Sequence, residues 1–412
     1  MFIFACKKTD AESDLQGLAG ASQSSSCKTE YRGAVDIGSN STKTHIAMVE
    51  VCNEAGKRLS KVTKTCFRTN DAVAYSASLK GSDSLPDTIV STGIKVTSVM
   101  MNESIRKAKL ACPGLPKMIT WRGVMTEAFR KAKNGDAARV ALSRGIGGAK
   151  LKIITQQEEA EFGYAPFLNF KNTPPESIAI WDMGGGSTQI TVFETFGKQH
   201  KAKTIKTALG TVTLRTRLEE LKNKTSTGST GADGSRDSSF FPVGNSAVAS
   251  ALGIVSKETK LGIPPIGGKA VEPQSLLKGK IIFGIGGVLS KAIPDLVRSI
   301  ARPGARAASI DEVGKLISNS TLRLQLPKIQ STEVAQSLRE LKSYTLEQLK
   351  EFAGNNEMNV SFADTLPLSL LLYNAYADKS VLNVAQFTPV AIDGTDGLLI
   401  LADFASDSYW ND

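Results

Sequence analysis

Two seven-residue stretches of this chain, Asp36-Ile-Gly-Ser-Asn-Ser-Thr42 and Asp182-Met-Gly-Gly-Gly-Ser-Thr188, align without gaps. Each ends an apolar run and begins an alternating one, so each reads as a bend between two strands. Such a bend presents backbone N–H groups and hydroxyls on one side, an anion-binding nest. A carboxylate at its head would repel phosphate unless a divalent cation stood between them. Asp36 and Asp182 therefore read as ligands of a metal or of its water. Gly38, Ser39, Asn40, Ser41, Gly184, Gly185, Gly186, Ser187 and Thr188 read as phosphate-binding. Glycine and Asx turns close many hairpins with no further role. That accounts for one copy, but not for two, nor for an acid ending an apolar strand, where an unpaired carboxylate is costly.

A third glycine motif, Ile281-Ile-Phe-Gly284-Ile-Gly286-Gly287-Val288, ends an apolar strand and opens a helix. Amides at a helix N-terminus suit a phosphate, so Gly286 and Gly287 join the candidates beside the reading of a plain strand-to-helix turn. Gly145-Ile-Gly147-Gly148 precedes a strand and reads as a loop. Between the two halves, Gln157-Glu-Glu159-Ala-Glu161 places three carboxylates near the first turn of a helix. Acids there complement the helix dipole without further function. Phosphoanhydride hydrolysis, however, needs a group that orients or deprotonates water in line with the leaving oxygen, and a carboxylate beside the nest could do that. His45 and His200 fall within strands without a spacing partner and read as structural. No CxxC and no GxSxG elbow supports a cysteine or serine nucleophile.

The elements that must position these residues follow from periodicity. Strands are expected at 34–38, 44–51 and 58–67, with a hairpin around Asn53-Glu-Ala-Gly56, and a strand end at 118–121. Helices are expected at 85–111 and 124–143. The second block opens with a strand at 177–182, then strands at 189–194 and 201–207. Helices are expected at 212–222, 246–260, 288–300, 311–319, 332–352 and 365–377. The division is a tether at 1–30, a first domain at 31–153, a second at 154–405 and a tail at 406–412. A Gly/Ser/Thr-rich insertion near 223–240 interrupts the second domain.

With 412 residues, 41% apolar and 22% charged, the chain reads as globular and two-domain. Its longest apolar stretches are far short of the roughly 20 residues a bilayer-crossing helix needs. A net charge of +10 favours polyanionic partners. With 6% aromatics and no basic helix carrying interleaved aromatics, nucleic acid is not expected. Met1-Phe-Ile-Phe-Ala-Cys6 resembles the end of a bacterial lipoprotein signal, although its apolar run is shorter than the about 7 to 15 residues such signals use. Two readings stand: a lipid anchor at Cys6 in the cell envelope or periplasm, or a cytoplasmic protein. Cys27, Cys52, Cys66 and Cys112 could pair in an oxidising compartment or stay reduced.

The first loop, Val124-Met-Thr-Glu-Ala-Phe-Arg130-Lys-Ala-Lys-Asn134, Gln157-Glu-Glu-Ala160, the second loop and Gly284-Ile-Gly-Gly287 occur in the order seen in the exopolyphosphatase/guanosine-pentaphosphate phosphatase (Ppx/GppA) family. Leu209-Gly-Thr-Val212 and Asp393-Gly-Thr-Asp-Gly-Leu-Leu399 resemble further landmarks, so the resemblance runs from about 32 to 405. It implies an α/β fold of two ribonuclease-H-like domains of the actin/Hsp70/sugar kinase (ASKHA) superfold, with the active site in the cleft between them. It implies Mg2+, or another divalent cation, held with help from Asp182, and Glu159 as the base that activates water. Arg130 would add charge to the phosphate channel. The family usually carries glutamate after GGGST, and here that catalytic-loop position is Gln189. Glutamine there resembles the apyrases of the same superfold, whose motif reads close to DLGGxSTQ. No long C-terminal helical domain is present, which resembles the short members.

The expected function is release of phosphate from inorganic polyphosphate, then guanosine pentaphosphate, then nucleoside triphosphate. The alternatives are an apyrase-like nucleotidase, a kinase or ATP-driven chaperone of the same superfold, and a non-catalytic sensor. The expected partner is a polyphosphate or phosphorylated nucleotide, with a homodimer as the one protein assembly to test.

Overall fold

The structure, a computed structural model, describes residues 26–401 except 55–56, 80–81, 170–173, 197–198, 226–242, 244, 263–271, 318 and 320–321. The expected tether with Cys6, nearly all of the expected insertion and the tail lie outside the described residues, as does the side chain of His200.

The repeat seen in the loops is a repeat of whole sheets. In the first, β1 (Ser26–Ile37), β2 (Ser41–Glu54) and β3 (Lys57–Ala72) form an antiparallel meander, and β4 (Thr120–Met125) and β5 (Lys150–Ile153) add in parallel beside β1, giving the order β3-β2-β1-β4-β5. In the second, β6 (Ile178–Met183), β7 (Thr188–Phe196) and β8 (Gln199–Thr207) repeat the meander. There β9 (Ile281–Ile285) and β11 (Gln386–Pro389) take the parallel places, and the two-residue β10 (Ile329–Gln330) caps the edge. Each glycine loop joins the first two strands of its meander. The leading strands are central and covered on both faces, with Ala34, Val35 and Ile37 fully buried in β1 and Ala179 and Trp181 in β6. Hence the last residues of β1, from Gly33 to Ile37, and the whole of β6 run largely apolar instead of alternating.

One face of the first sheet packs on helices Asp87–Ala111 and Gly135–Gly145 through Val35, Ile37, Met101, Ala108, Phe129 and Leu142. The other face, with Ala34, Ala47, Val49, Val51 and Val124, is covered by Phe162 and by Leu398 and Leu399. These last come from helix Gly394–Leu401, which lies beyond the second sheet's final strand in the chain and returns to the first sheet. Two disulfides, Cys27–Cys52 across β1 and β2 and Cys66–Cys112 between β3 and the end of helix Asp87–Ala111, tie the first half together. Among the described residues no helix is long and apolar enough to cross a membrane.

Two expected helices are corrected. The helix placed at 124–143 begins instead as strand: Val124 and Met125 close β4 in register with Asp36 and Ile37. Two short helices come next, Glu127–Lys131 and Gly135–Gly145. They are separated where the Asn134 amide pairs with both backbone groups of Leu85, at 2.8 and 2.9 Å. The helix placed at 332–352 is two, Ser331–Leu341 and Leu346–Asn355, because Thr345 caps the second in a reciprocal box with Gln348.

Candidate active site between the two loops

The two loops are built alike. Gly38 N–H donates to the Ser41 carbonyl at 2.8 Å, and Gly184 N–H to the Ser187 carbonyl at 3.0 Å. The next carbonyls are taken from outside: Ser39 and Asn40 accept from Ser76 and Val73, and Gly184 and Gly185 from Thr211 and Val212. With these carbonyls bound outward, the amide edges are what each loop offers the cleft. The loops face each other closely. A Cβ on Gly186 would stand 2.4 Å from Ser39 Oγ and 2.5 Å from Glu127 Oε2, so a side chain there would push the halves apart.

The cleft holds about 1340 Å³, counting solvent at its mouth. It is lined by Asp36, Gly38, Ser39, Asn40, Ser41, Glu159, Asp182, Gly184, Gly185, Gly186, Ser187, Gln189, Gly286 and Gly287. Thr188 is the exception among the expected phosphate ligands: it is buried, and its hydroxyl donates to the Leu209 carbonyl at 2.7 Å. The third glycine motif reaches the same cleft. Gly286 takes φ +76°, and a Cβ on it would stand 2.1 Å from Asp182 Oδ1, so only glycine lets the strand end there against that carboxylate.

Helix Gln156–Tyr164 sorts its three acids by role. Glu158 closes a capping box with Thr155, at 2.7 and 3.1 Å, and Glu161 accepts from Gln157 at 3.3 Å. Glu159 is left for the cleft, where Arg130 Nη2 donates to its Oε2 at 2.9 Å. The other arm of that guanidinium holds the Ile154 carbonyl at 2.8 Å, so Arg130 is turned onto the carboxylate and not onto the loops. Burial pushes the Glu159 carboxyl up to about 7, with Asp182 and Asp36 adding to the rise and Arg130 opposing it. Burial likewise raises Asp182 to about 6, helped by Asp36 and Asp393 and opposed by Lys43.

Sequence reading gave no role to two charged residues of this site. Lys43 Nζ lies 2.9 Å from Asp36 Oδ2. Although burial works against its charge, Asp36, Asp393 and Asp182 raise its pKa further. Asp393 accepts from the Thr395 amide and hydroxyl at 2.9 and 2.6 Å and lies 3.5 Å from Arg68. Burial would raise it, but Lys43, Arg68 and those hydrogen bonds hold its carboxyl well below the usual range. The available signal for Lys43 was its seven-residue offset from Asp36, which a four-residue hairpin turns into direct opposition. His45 is structural as read: it is buried, bonded to Thr65 at 3.1 Å, and pushed down to about 4 by burial against the pull of Asp396.

The donor set fits a hard cation. Asp36 Oδ1 is buried with no hydrogen-bond partner, and Asp182 is a carboxylate kept from ionising easily by burial, with Asp36 and Asp393 adding to the effect. All donors are oxygens, the chemistry that magnesium and calcium prefer.

Known proteins share the fold that carries these residues. Residues 117–226 match the model of the Ppx/GppA phosphatase family. No curated protein sequence matches the chain. Among solved structures, the Aquifex aeolicus PPX-GPPA enzyme superposes with a TM-score of 0.54 at 16% identity, covering 90% of this chain and 99% of that one. An exopolyphosphatase-like protein gives a TM-score of 0.58 at 14% identity, covering 90% and 97%. An exopolyphosphatase from Cytophaga hutchinsonii gives 0.54 at 12% identity, covering 90% and 96%. The fold is thus the two-domain ribonuclease-H-like architecture of the actin/Hsp70/sugar kinase superfold, and the resemblance to Ppx/GppA proteins holds over most of the chain.

Proposed function

We propose that this protein is a divalent-metal-dependent phosphoanhydride hydrolase that removes the terminal phosphate of inorganic polyphosphate. The observation that carries this reading is the placement of Glu159, a carboxylate raised to about 7, in one cleft with both glycine loops. The amides and hydroxyls of Ser39, Asn40, Gly185, Gly186 and Ser187 hold the terminal phosphoryl group. Glu159 takes a proton from a water that attacks phosphorus, while the bond to the bridging oxygen breaks and orthophosphate separates from the shortened chain. Arg130 fixes the orientation of Glu159. Asp182 and Asp36 would hold the cation, Mg2+ first among candidates, which when bound supplies positive charge to the phosphoryl oxygens. The net charge of +10 suits a long polyanion.

A second reading rests on the far wall of the cleft, where Val288, Met358, Phe362 and Leu366 are apolar. A bare polyphosphate has no use for such a wall, whereas a nucleoside does, which supports guanosine pentaphosphate or a nucleoside triphosphate as substrate. Gln189, in place of the family's usual glutamate, leans the same way. The two disulfides support a home in an oxidising compartment, outside the cytoplasm.

The test is phosphate release from polyphosphate, guanosine pentaphosphate and ATP with Mg2+ or Mn2+, with Glu159→Gln alongside. Release is expected fastest from polyphosphate, and Glu159→Gln should lose turnover while still binding substrate. A variant that keeps full turnover removes Glu159 as base. Binding without turnover under any metal would make the protein a sensor.

A further inference from the structure

The duplicated carboxylates are not equivalent, and the difference lies directly across each hairpin. The β1–β2 register sets Asp36 opposite Lys43, and the β6–β7 register sets Asp182 opposite Gln189. The Lys43 ammonium is on Asp36 Oδ2 at 2.9 Å, with both side chains largely buried. Gln189 brings no charge, and its amide donates instead to Ser187 Oγ at 2.9 Å. The charge of Lys43 is also felt by Asp182 and Asp393. The fold therefore carries a cation of its own on one copy of the loop, and a neutral amide in the same place on the other.

We propose that Lys43 is a positioning residue that fills the cation's place on Asp36. A divalent ion entering the cleft is then anchored on Asp182 and must compete with the ammonium for Asp36. The inference rests on the metal-dependent reading above. Its physical content is electrostatic: two positive charges sharing one buried carboxylate repel, and the repulsion is strong where water is scarce. Lys43 keeps the substrate-free cleft folded without metal and holds its affinity for the ion low, so that metal enters most favourably together with the polyanion.

Isothermal titration of the full, substrate-free chain with MgCl2 and with MnCl2 tests this without turnover. The variant of choice is Lys43→Gln, because it copies the Asp–Gln pairing the second half already accommodates. It is expected to bind the ion at least roughly tenfold more tightly than wild type. Lys43→Arg should stay near wild type. Lys291→Met, which removes a positive charge from the same cleft, reads out any general loss of repulsion and should move affinity far less. Equal or weaker binding by Lys43→Gln, or an equal gain from Lys291→Met, overturns the proposal. If Lys43→Gln does not fold by circular dichroism, Lys43→Met is titrated in its place. If neither wild type nor the Lys43 variant takes up metal, the metal-dependent reading falls as well. If wild type binds and the variant gains nothing, only the role of Lys43 falls.

Discussion

Arg130 and Glu159 meet in a single-armed pair, Nη2 to Oε2 at 2.9 Å, while the other arm of the guanidinium is fastened to the Ile154 carbonyl two residues before the helix that carries the glutamate. The arginine thus holds the carboxylate against a fixed point of the backbone and lowers its proton affinity. Without it, burial, together with Asp182 and Asp36, would keep Glu159 protonated to higher pH. The base proposed for Glu159 works only when deprotonated, so on that mechanism kcat/KM should rise with pH and level off above about 7. In Arg130→Gln that rise is expected at higher pH, together with a lower plateau. A pH profile that stays in place would mean the pair does not tune the base.

Asp182 should be a site where function costs stability. Its folded pKa, about 6, lies above the ordinary value of 3.8. A carboxyl raised in this way destabilises the folded chain above its folded pKa, and the penalty fades as pH falls through about 6 toward 3.8. Asp182→Asn should therefore raise the Tm of the metal-free protein at pH 7.5, by at most about 3 kcal/mol of stability, while abolishing activity. The gain should shrink at pH 4.5. A Tm that drops at pH 7.5 would show that the carboxylate is paired in solution.

Gly286→Ala places a methyl where the Asp182 carboxylate stands and forces φ +76° on a residue with a side chain. Strain of about 1–3 kcal/mol is the scale for such backbone. Metal titration is the informative readout: affinity should fall with activity, because the displaced atom is a proposed ligand. Normal metal binding in a folded Gly286→Ala protein would remove Asp182 from the ligand set.

Much of this site was legible from residue order because a repeated loop constrains both its strands at once. Asp36, Asp182 and the glycines need only local sequence to be recognised, and a hairpin carries them to their places. Spacing alone did not separate Glu159 from Glu158 and Glu161; the family resemblance singled it out, and the Thr155 cap and the Gln157 contact give the physical reason. Asp393 remained a landmark without a role, since 357 positions separate it from Asp36 and only the return of helix Gly394–Leu401 brings Gly394 beside that carboxylate. The helix expected at 124–143 shows the same limit. Val124 stands at helical spacing from Ala128 and Ala132, but pairing with β1 captures it, together with Met125, as strand.

The Cys66–Cys112 bond closes a separation of 46 residues, for which chain entropy alone suggests about 4 kcal/mol of stabilisation. Reduction, or Cys66→Ser with Cys112→Ser, should lower Tm and loosen helix Asp87–Ala111 ahead of the second half. Thiol titration of unfolded, unreduced protein should find Cys27, Cys52, Cys66 and Cys112 unreactive. Four free thiols would argue against an oxidising compartment.

Helix Gly394–Leu401 has a consequence for synthesis. Ribosomes deliver the first sheet long before Leu398 and Leu399, which cover its face of Ala34, Ala47, Val49 and Val124. That apolar face stays open during nearly the whole of translation, so the first half cannot finish folding before the second has been made. A chain stopped at residue 392 should bind a hydrophobic dye that the full chain ignores. The order in which the polypeptide emerges thus leaves the halves to mature together, the earliest strands completing their core only when helix Gly394–Leu401 arrives.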